Sequence, residues 1–179
     1  MKIILIGGKS RVGKDTLADY MISYLQENDK KTVKTGISKY LKRYAIDYFG
    51  WNGKEKTKPR TLLQKLGTDV IRKEMGKETF FIDRTMEDIE ILSRFFDYLV
   101  ISDIRYPLEF DTIKDKYRDD VYKIMVTSNR LNNLNNKEKK HLTEVALYNY
   151  KDYDYLVTNN ETKKDLKKKA LEIVKELEK

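Results

Sequence analysis

The chain has 179 residues, with 37 Lys and Arg against 29 Asp and Glu, a formal net charge of +8, and 40% hydrophobic residues. That length suits one domain with a sheet-based core, and the positive balance suits an anionic partner such as a nucleotide, a nucleic acid or an anionic surface. The lack of cysteine excludes disulfides and thiolate chemistry, and a single histidine excludes a histidine-rich metal site.

Ile3 to Ile6 is a short, wholly apolar run and predicts a buried strand. It is too short for a signal-peptide core or a membrane span, so a soluble cytoplasmic protein is the expectation. Leu17, Met21 and Leu25 then share one helical face. Thr32 to Gly36 predicts a second strand, and Ser38 a cap for a helix carrying Leu41, Ala45 and Phe49. The polar stretch GWNGKEKTKPR predicts a loop, out of which Pro59 opens a helix with Leu63, Leu66, Val70 and Ile71, ended by Gly76. Gly67 lowers helical propensity there by about 1 kcal/mol, which points to a close packing or substrate contact. A further helix is predicted over 84–96, through Met86, Ile89, Leu92 and Phe95. Tyr98 to Ile101, Val121 to Val126 and the stretch YDYLVTNN predict three more strands. LNNLNNKEKKH reads as a polar, mobile segment, followed by a short helix over 142–148. Leu166, Ala170, Ile173 and Leu177 mark a final helix. Strands alternate with helices and no repeat or linker divides them, so the expectation is one three-layer α/β sandwich over 1–179 with a central parallel sheet.

Gly8-x-x-x-x-Gly13-Lys14 lies between the first strand and the first helix, with the spacing of a phosphate-binding loop. Backbone N–H groups must converge on phosphate oxygens, and side chains at those turns would obstruct them. The helix start adds unpaired N–H groups and a positive dipole end. Gly8, Lys9, Ser10, Arg11, Val12, Gly13, Lys14, Asp15 and Thr16 are therefore the expected phosphate site, with Lys14 following charge onto the transferred group. No Gly-x-Gly-x-x-Gly is present, which sets aside a dinucleotide turn. Asp15 stands where such loops usually carry a serine or threonine. It has two open uses, meeting magnesium through water or capping the helix, while Thr16 supplies a hydroxyl.

Asp103 follows a central strand, where magnesium is commonly held opposite the cradle; the plainer reading is a cap on the turn before Pro107. Arg105 suits a phosphate, against a plainer pairing with Glu109 or Asp111. Arg130 begins the polar segment and is the expected arginine of a lid over about 128–144. Lys137, Lys139 and Lys140 read as surface charge. His141 and Glu144 share a helical face, either holding the lid to the body or touching substrate. No general base is required, because a phosphate acceptor is already an oxyanion.

The stretches GKSRVGKDTLADYM, LLQKLGTDVIRKEMGKETFFID, VISDIRYPLEFDTIK, HLTEVAL and YDYLVTNN, in that order, resemble the phage and bacterial deoxynucleoside monophosphate kinases of the P-loop kinase superfamily. The resemblance implies a P-loop NTP hydrolase fold of nucleoside monophosphate kinase type, ATP as donor, Mg2+ as cofactor and a deoxynucleoside 5'-monophosphate as acceptor. Members of that family often carry aspartate directly after the loop lysine, and are often dimers. The match places the acceptor site between the sheet edge and Ser38 to Phe81, within a helical segment of about 38–97. By that match Lys42, Arg60, Gln64 and Arg72 become acceptor contacts; Arg105, from the sheet edge, joins Arg72 on the acceptor phosphate, and Glu144 is the further candidate from its place beside His141. Asp103, Thr16 and Asp15 become candidates for magnesium.

Two rivals follow from the same residues. Phosphomevalonate kinases of the animal type share the aspartate–threonine loop, and dephospho-coenzyme A kinases share the overall plan. A basic nucleic-acid-binding module fits the charge, but the lysines are interrupted by acids: the tail from Glu161 alternates seven lysines with five acidic residues.

Overall fold

The computed structural model describes residues 1–129 and 142–179; Arg130, Lys137, Lys139, Lys140 and His141 lie outside the described residues, as does the Glu144 side chain. Strands β1 (Lys2–Gly7), β2 (Thr32–Thr35), β3 (Tyr98–Ile104), β4 (Val121–Thr127) and β5 (Tyr155–Thr158) make one parallel sheet, in the order β2-β3-β1-β4-β5. Ile4 of β1 sits between Val100 of β3 and Tyr122 of β4. The order reverses at β1, and in open α/β sheets the crevice beyond such a strand's carboxyl end is where ligands bind.

Alternation along each strand divides the core into two layers. Ile4, Ile6, Val100, Ile124 and Val126 face α1 (Lys14–Glu27) and the C-terminal helix, packing on Leu17, Met21, Leu166, Ala170 and Leu177. Ile3, Leu5, Leu99, Ile101 and Met125 face the other way, onto Ile71, Phe81, Ile82, Ile89, Phe110 and Ile113. Each large aliphatic side chain removed from water in this way contributes about 1.5–3 kcal/mol. These two packed faces make the three-layer sandwich expected from the strand–helix alternation.

Between β2 and β3 the chain inserts α2 (Lys39–Phe49), α3 (Arg60–Gln64) and α4 (Phe80–Leu92). α3 continues directly into a π-helical stretch, Lys65–Glu74, so the predicted single helix forms but with a widened second half. An added Cβ on Gly67 would stand 2.9 Å from Leu41 Cδ2 of α2, so the two helices approach closely at this glycine. Trp51, read as a loop residue, is buried with Ala45 and Leu63, and its Nε1 donates to the Lys54 carbonyl at 3.2 Å.

Three expectations are corrected. The helix predicted over 84–96 begins and ends about one turn earlier, because Phe81 and Ile82 are core and Phe95 is 66% exposed. Phe49 lies on the outer face of α2, 52% exposed. Ser38 precedes α2 but makes no side-chain cap; its hydroxyl is given to Asp103. Beyond β3 follow α5 (Pro107–Tyr117), α6 (Leu142–Val145) and α7 (Lys163–Leu177). Thr162 and Asp165 form a reciprocal capping box at the start of α7.

Candidate active site

β1 delivers the chain into the loop 8–13 at the centre of the sheet's carboxyl edge. Gly8 (φ 139°) and Gly13 (φ 100°) hold left-handed backbone that side chains rarely adopt. Space excludes a side chain as well: a Cβ on Gly8 would lie 2.2 Å from the Val126 carbonyl oxygen. Lys14 opens α1 and is buried, and its Nζ donates to the Gly8 carbonyl at 2.9 Å and the Lys9 carbonyl at 2.6 Å. Arg105 reaches the same Gly8 carbonyl from the end of β3, with Nη1 at 3.1 Å. Two cations thus already sit on the loop, one from each half of the cleft. Ser10 is buried, Val12 is core, and Lys9 lies 5.6 Å from the centre of the exposed Tyr148 ring.

Asp15 does not cap its helix. Its Oδ1 accepts from the Ser102 hydroxyl at 2.7 Å and faces Lys34 Nζ at 3.4 Å. Partial burial works to raise its pKa, but the Ser102 hydrogen bond and the Lys34 charge outweigh this and hold it below the usual carboxylate value. Lys34 is in turn raised: desolvation opposes its charge, and Asp19 and Asp15 more than offset it. Ser102 and Lys34 were not singled out in the sequence. The signal for Ser102 was its place beside Asp103 at the end of an apolar strand.

Asp103 lines the same cleft, but its carboxylate is taken up elsewhere. It accepts the Ile37 N–H at 2.8 Å, the Ser38 N–H at 3.1 Å and the Ser38 hydroxyl, with Lys42 Nζ at 3.9 Å. It fastens the β2–α2 turn and not the turn before Pro107. That second turn belongs to Glu109, whose Oε2 accepts the N–H groups of Arg105 at 2.6 Å and Tyr106 at 3.1 Å. The Arg105 partnership with Glu109 therefore runs through the backbone, leaving its guanidinium over the loop.

Glu109 also holds Arg72. Oε1 accepts from Arg72 Nη2 at 2.7 Å, and both side chains are largely buried, 3% and 13% exposed. Burial pushes the Glu109 carboxyl up while Arg72 and the Arg105 amide pull it down, and the net lies above its usual value. The Arg72 guanidinium lies 4.0 Å from the centre of the Tyr106 ring, whose hydroxyl is 3.2 Å from Thr68. At the cleft rim Arg60 Nη2 meets Glu55 at 2.9 Å and Lys58 meets it at 3.0 Å.

These residues line one cavity of about 1470 Å³ that runs from Ser10, Arg11, Gly13, Lys14, Asp15 and Thr16 to Lys42, Arg60, Gln64, Gly67, Thr68, Arg72 and Phe81. Ten Lys and Arg side chains line it against Asp15, Glu55, Asp103 and Glu109, a balance suited to polyanions. Arg130 falls outside the described residues, and for Glu144 only its backbone place in α6 is described. Among the described residues no cluster of three His, Cys, Asp or Glu could hold a metal ion.

Comparison with solved structures places the fold. Mycobacterium tuberculosis APS kinase, solved with AMPPNP and APS, superposes with a TM-score of 0.61 over 99% of this chain and 98% of its own, at 13% identity. Shikimate kinase from Bacteroides thetaiotaomicron gives 0.58 over 99% of both chains, at 14% identity. At such identities the likeness shows the P-loop kinase fold alone. A comparison with curated protein sequences returns no match. No helix among the described residues is long and apolar enough to cross a membrane. The family model described as deoxynucleotide monophosphate kinase matches residues 23–170. The phosphate cradle at 8–16 precedes that stretch, so the loop and the family match are separate observations. They agree: the chain belongs to the deoxynucleotide monophosphate kinase family, and its reaction is the ATP-dependent phosphorylation of a deoxynucleoside monophosphate.

Proposed function

We propose how the cleft divides this reaction among its residues. Gly8 to Lys14 receive the donor phosphates, and Lys14 leaves the Gly8 and Lys9 carbonyls to follow charge onto the transferred phosphoryl group. P-loop kinases in general use ATP with Mg2+. Asp15 and the Thr16 hydroxyl are the residues that would hold that ion, where it would neutralise charge between the phosphates. Asp15 Oδ2 has no hydrogen-bond partner among the described residues, whereas both Asp103 oxygens are engaged by the β2–α2 turn. Asp103 then serves by fixing that turn, and with it the start of the acceptor segment 38–97.

Arg72 and Arg105 hold the acceptor phosphate in this reading, with Lys42, Arg60 and Gln64 along the same wall. Arg105 stands between the two halves, since it already touches Gly8. A closing segment over 128–144 brings Arg130 to the transferring group and Glu144 to the acceptor, and excludes water. On the family resemblance the chain pairs as a homodimer, and the cytoplasmic location expected from the sequence is kept. The observation that carries the proposal is the continuity of the cleft: the cradle and Arg72 line one cavity. That lets donor and acceptor meet without a chemical group from the protein between them.

A coupled ADP-release assay tests it, with Mg-ATP and dTMP, dGMP, dCMP, dAMP, their ribose counterparts, phosphomevalonate and dephospho-coenzyme A. Turnover of at least one deoxynucleotide is expected, and Lys14→Ala should lower it at least about a hundredfold while the protein stays folded. Near-normal turnover in that variant would sink the assignment of the cradle. Activity on a control metabolite alone would overturn the acceptor.

A further inference from the structure

Asn159 follows β5, is buried, and does not line the cleft. Its Nδ2 donates to the Val12 carbonyl at 2.9 Å across 147 residues of chain. Only the amide nitrogen of that side chain can donate, so its orientation is fixed by chemistry. The contact is close enough to govern its neighbour: a Cβ on Gly13 would stand 2.4 Å from Nδ2. Asn159 is itself anchored, its N–H on the Thr127 carbonyl at 2.8 Å and its carbonyl under the Ser128 hydroxyl at 2.8 Å.

A trans peptide is planar and points its C=O and the following N–H in opposite directions. With the Val12 carbonyl drawn toward Asn159, the Gly13 N–H must face away from it. Gly13 lines the cleft, whereas Val12 and Asn159 do not. We infer that Asn159 is a positioning residue for the reaction: it sets the Val12–Gly13 peptide plane so that the Gly13 N–H is aimed at a donor phosphate. Without it, the peptide is free to turn and the cradle loses one preorganised donor. The inference rests on the cradle being the donor site.

The test is isothermal titration of ATP and, separately, of the accepted deoxynucleotide against wild type, Asn159→Ala and Asn159→Asp, with the melting temperature of each. The aspartate keeps the shape but turns an acceptor onto the Val12 carbonyl. Both variants should bind ATP at least about tenfold more weakly and the acceptor within about twofold. If donor and acceptor affinities fall together, Asn159 serves general packing and the inference fails. It also fails if ATP binding is unchanged while Lys14→Ala abolishes it. Normal ATP binding in Lys14→Ala as well would instead reject the donor site itself. Wild type gives a second readout that survives unfolded variants. The Gly13 amide proton should move downfield in its NMR spectrum when ATP binds, and an unmoved resonance would overturn the assignment.

Discussion

Arg72 and Glu109 meet at 2.7 Å with little exposure to water, and their energetics differ from those of the surface pairs around them. Lys73 and Asp69 on the same stretch are both more than half exposed, and such pairs contribute at most about 1 kcal/mol. Breaking a buried pair by removing one partner is different, because it strands the other charge. Arg72→Ala should therefore destabilise the protein by about 3–5 kcal/mol in urea unfolding, whatever its effect on binding. The double variant Arg72→Met with Glu109→Gln separates the two effects. Gln keeps an oxygen for the Arg105 and Tyr106 N–H groups, and Met keeps the bulk beside Tyr106. That protein should recover most of the lost stability yet show an acceptor KM raised about tenfold or more, with the KM for ATP little changed. Recovery of acceptor affinity along with stability would make Arg72 a structural arginine only.

At the scale of elements, the cleft depends on how closely the π-helical stretch Lys65–Glu74 approaches α2. Gly67 makes that approach possible, and the stretch presents Gly67, Thr68 and Arg72 to the cavity. Gly67→Val adds branched atoms beyond a Cβ that already crowds Leu41. It should destabilise the protein by about 1–3 kcal/mol and raise the acceptor KM while sparing ATP, measured by thermal unfolding and initial rates. An unchanged acceptor KM would detach this helix pair from the acceptor site. The sequence displayed these elements unevenly. Apolar runs such as Ile3 to Ile6 announced the strands, because a central parallel strand is apolar on both faces. The pattern over 84–96 misplaced α4, since Phe80, Phe81 and Ile82 gave no helical periodicity of their own and only packing on the sheet recruits them.

Across the whole molecule, the cradle was legible because its chemistry is local: glycines, lysine and strand–helix context fall within a dozen residues. The contacts that arrange the cleft are not local. Asp103 reaches the turn at Ser38 from 65 residues away, Ser102 reaches Asp15 from 87, and Asn159 reaches Val12 from 147. No spacing rule reveals such partners, since they are set by the strand order β2-β3-β1-β4-β5. Glu109 was the exception within reach, because a glutamate two residues after Pro107 can return to the N–H groups that open the helix. In the proposed division of the cleft, a cradle at 8–16 and an acceptor wall drawn from residues 42 to 105 come from separate stretches of the chain and share one cavity. The most direct measurement of that claim uses a linked analogue, adenosine and the accepted deoxynucleoside joined 5' to 5' through five phosphates. Steady-state inhibition should be competitive against both ATP and the monophosphate. Affinity should exceed that of either nucleotide by about a hundredfold or more, since the second half then binds intramolecularly. Competition against one substrate alone, with no gain in affinity, would contradict a single continuous cleft.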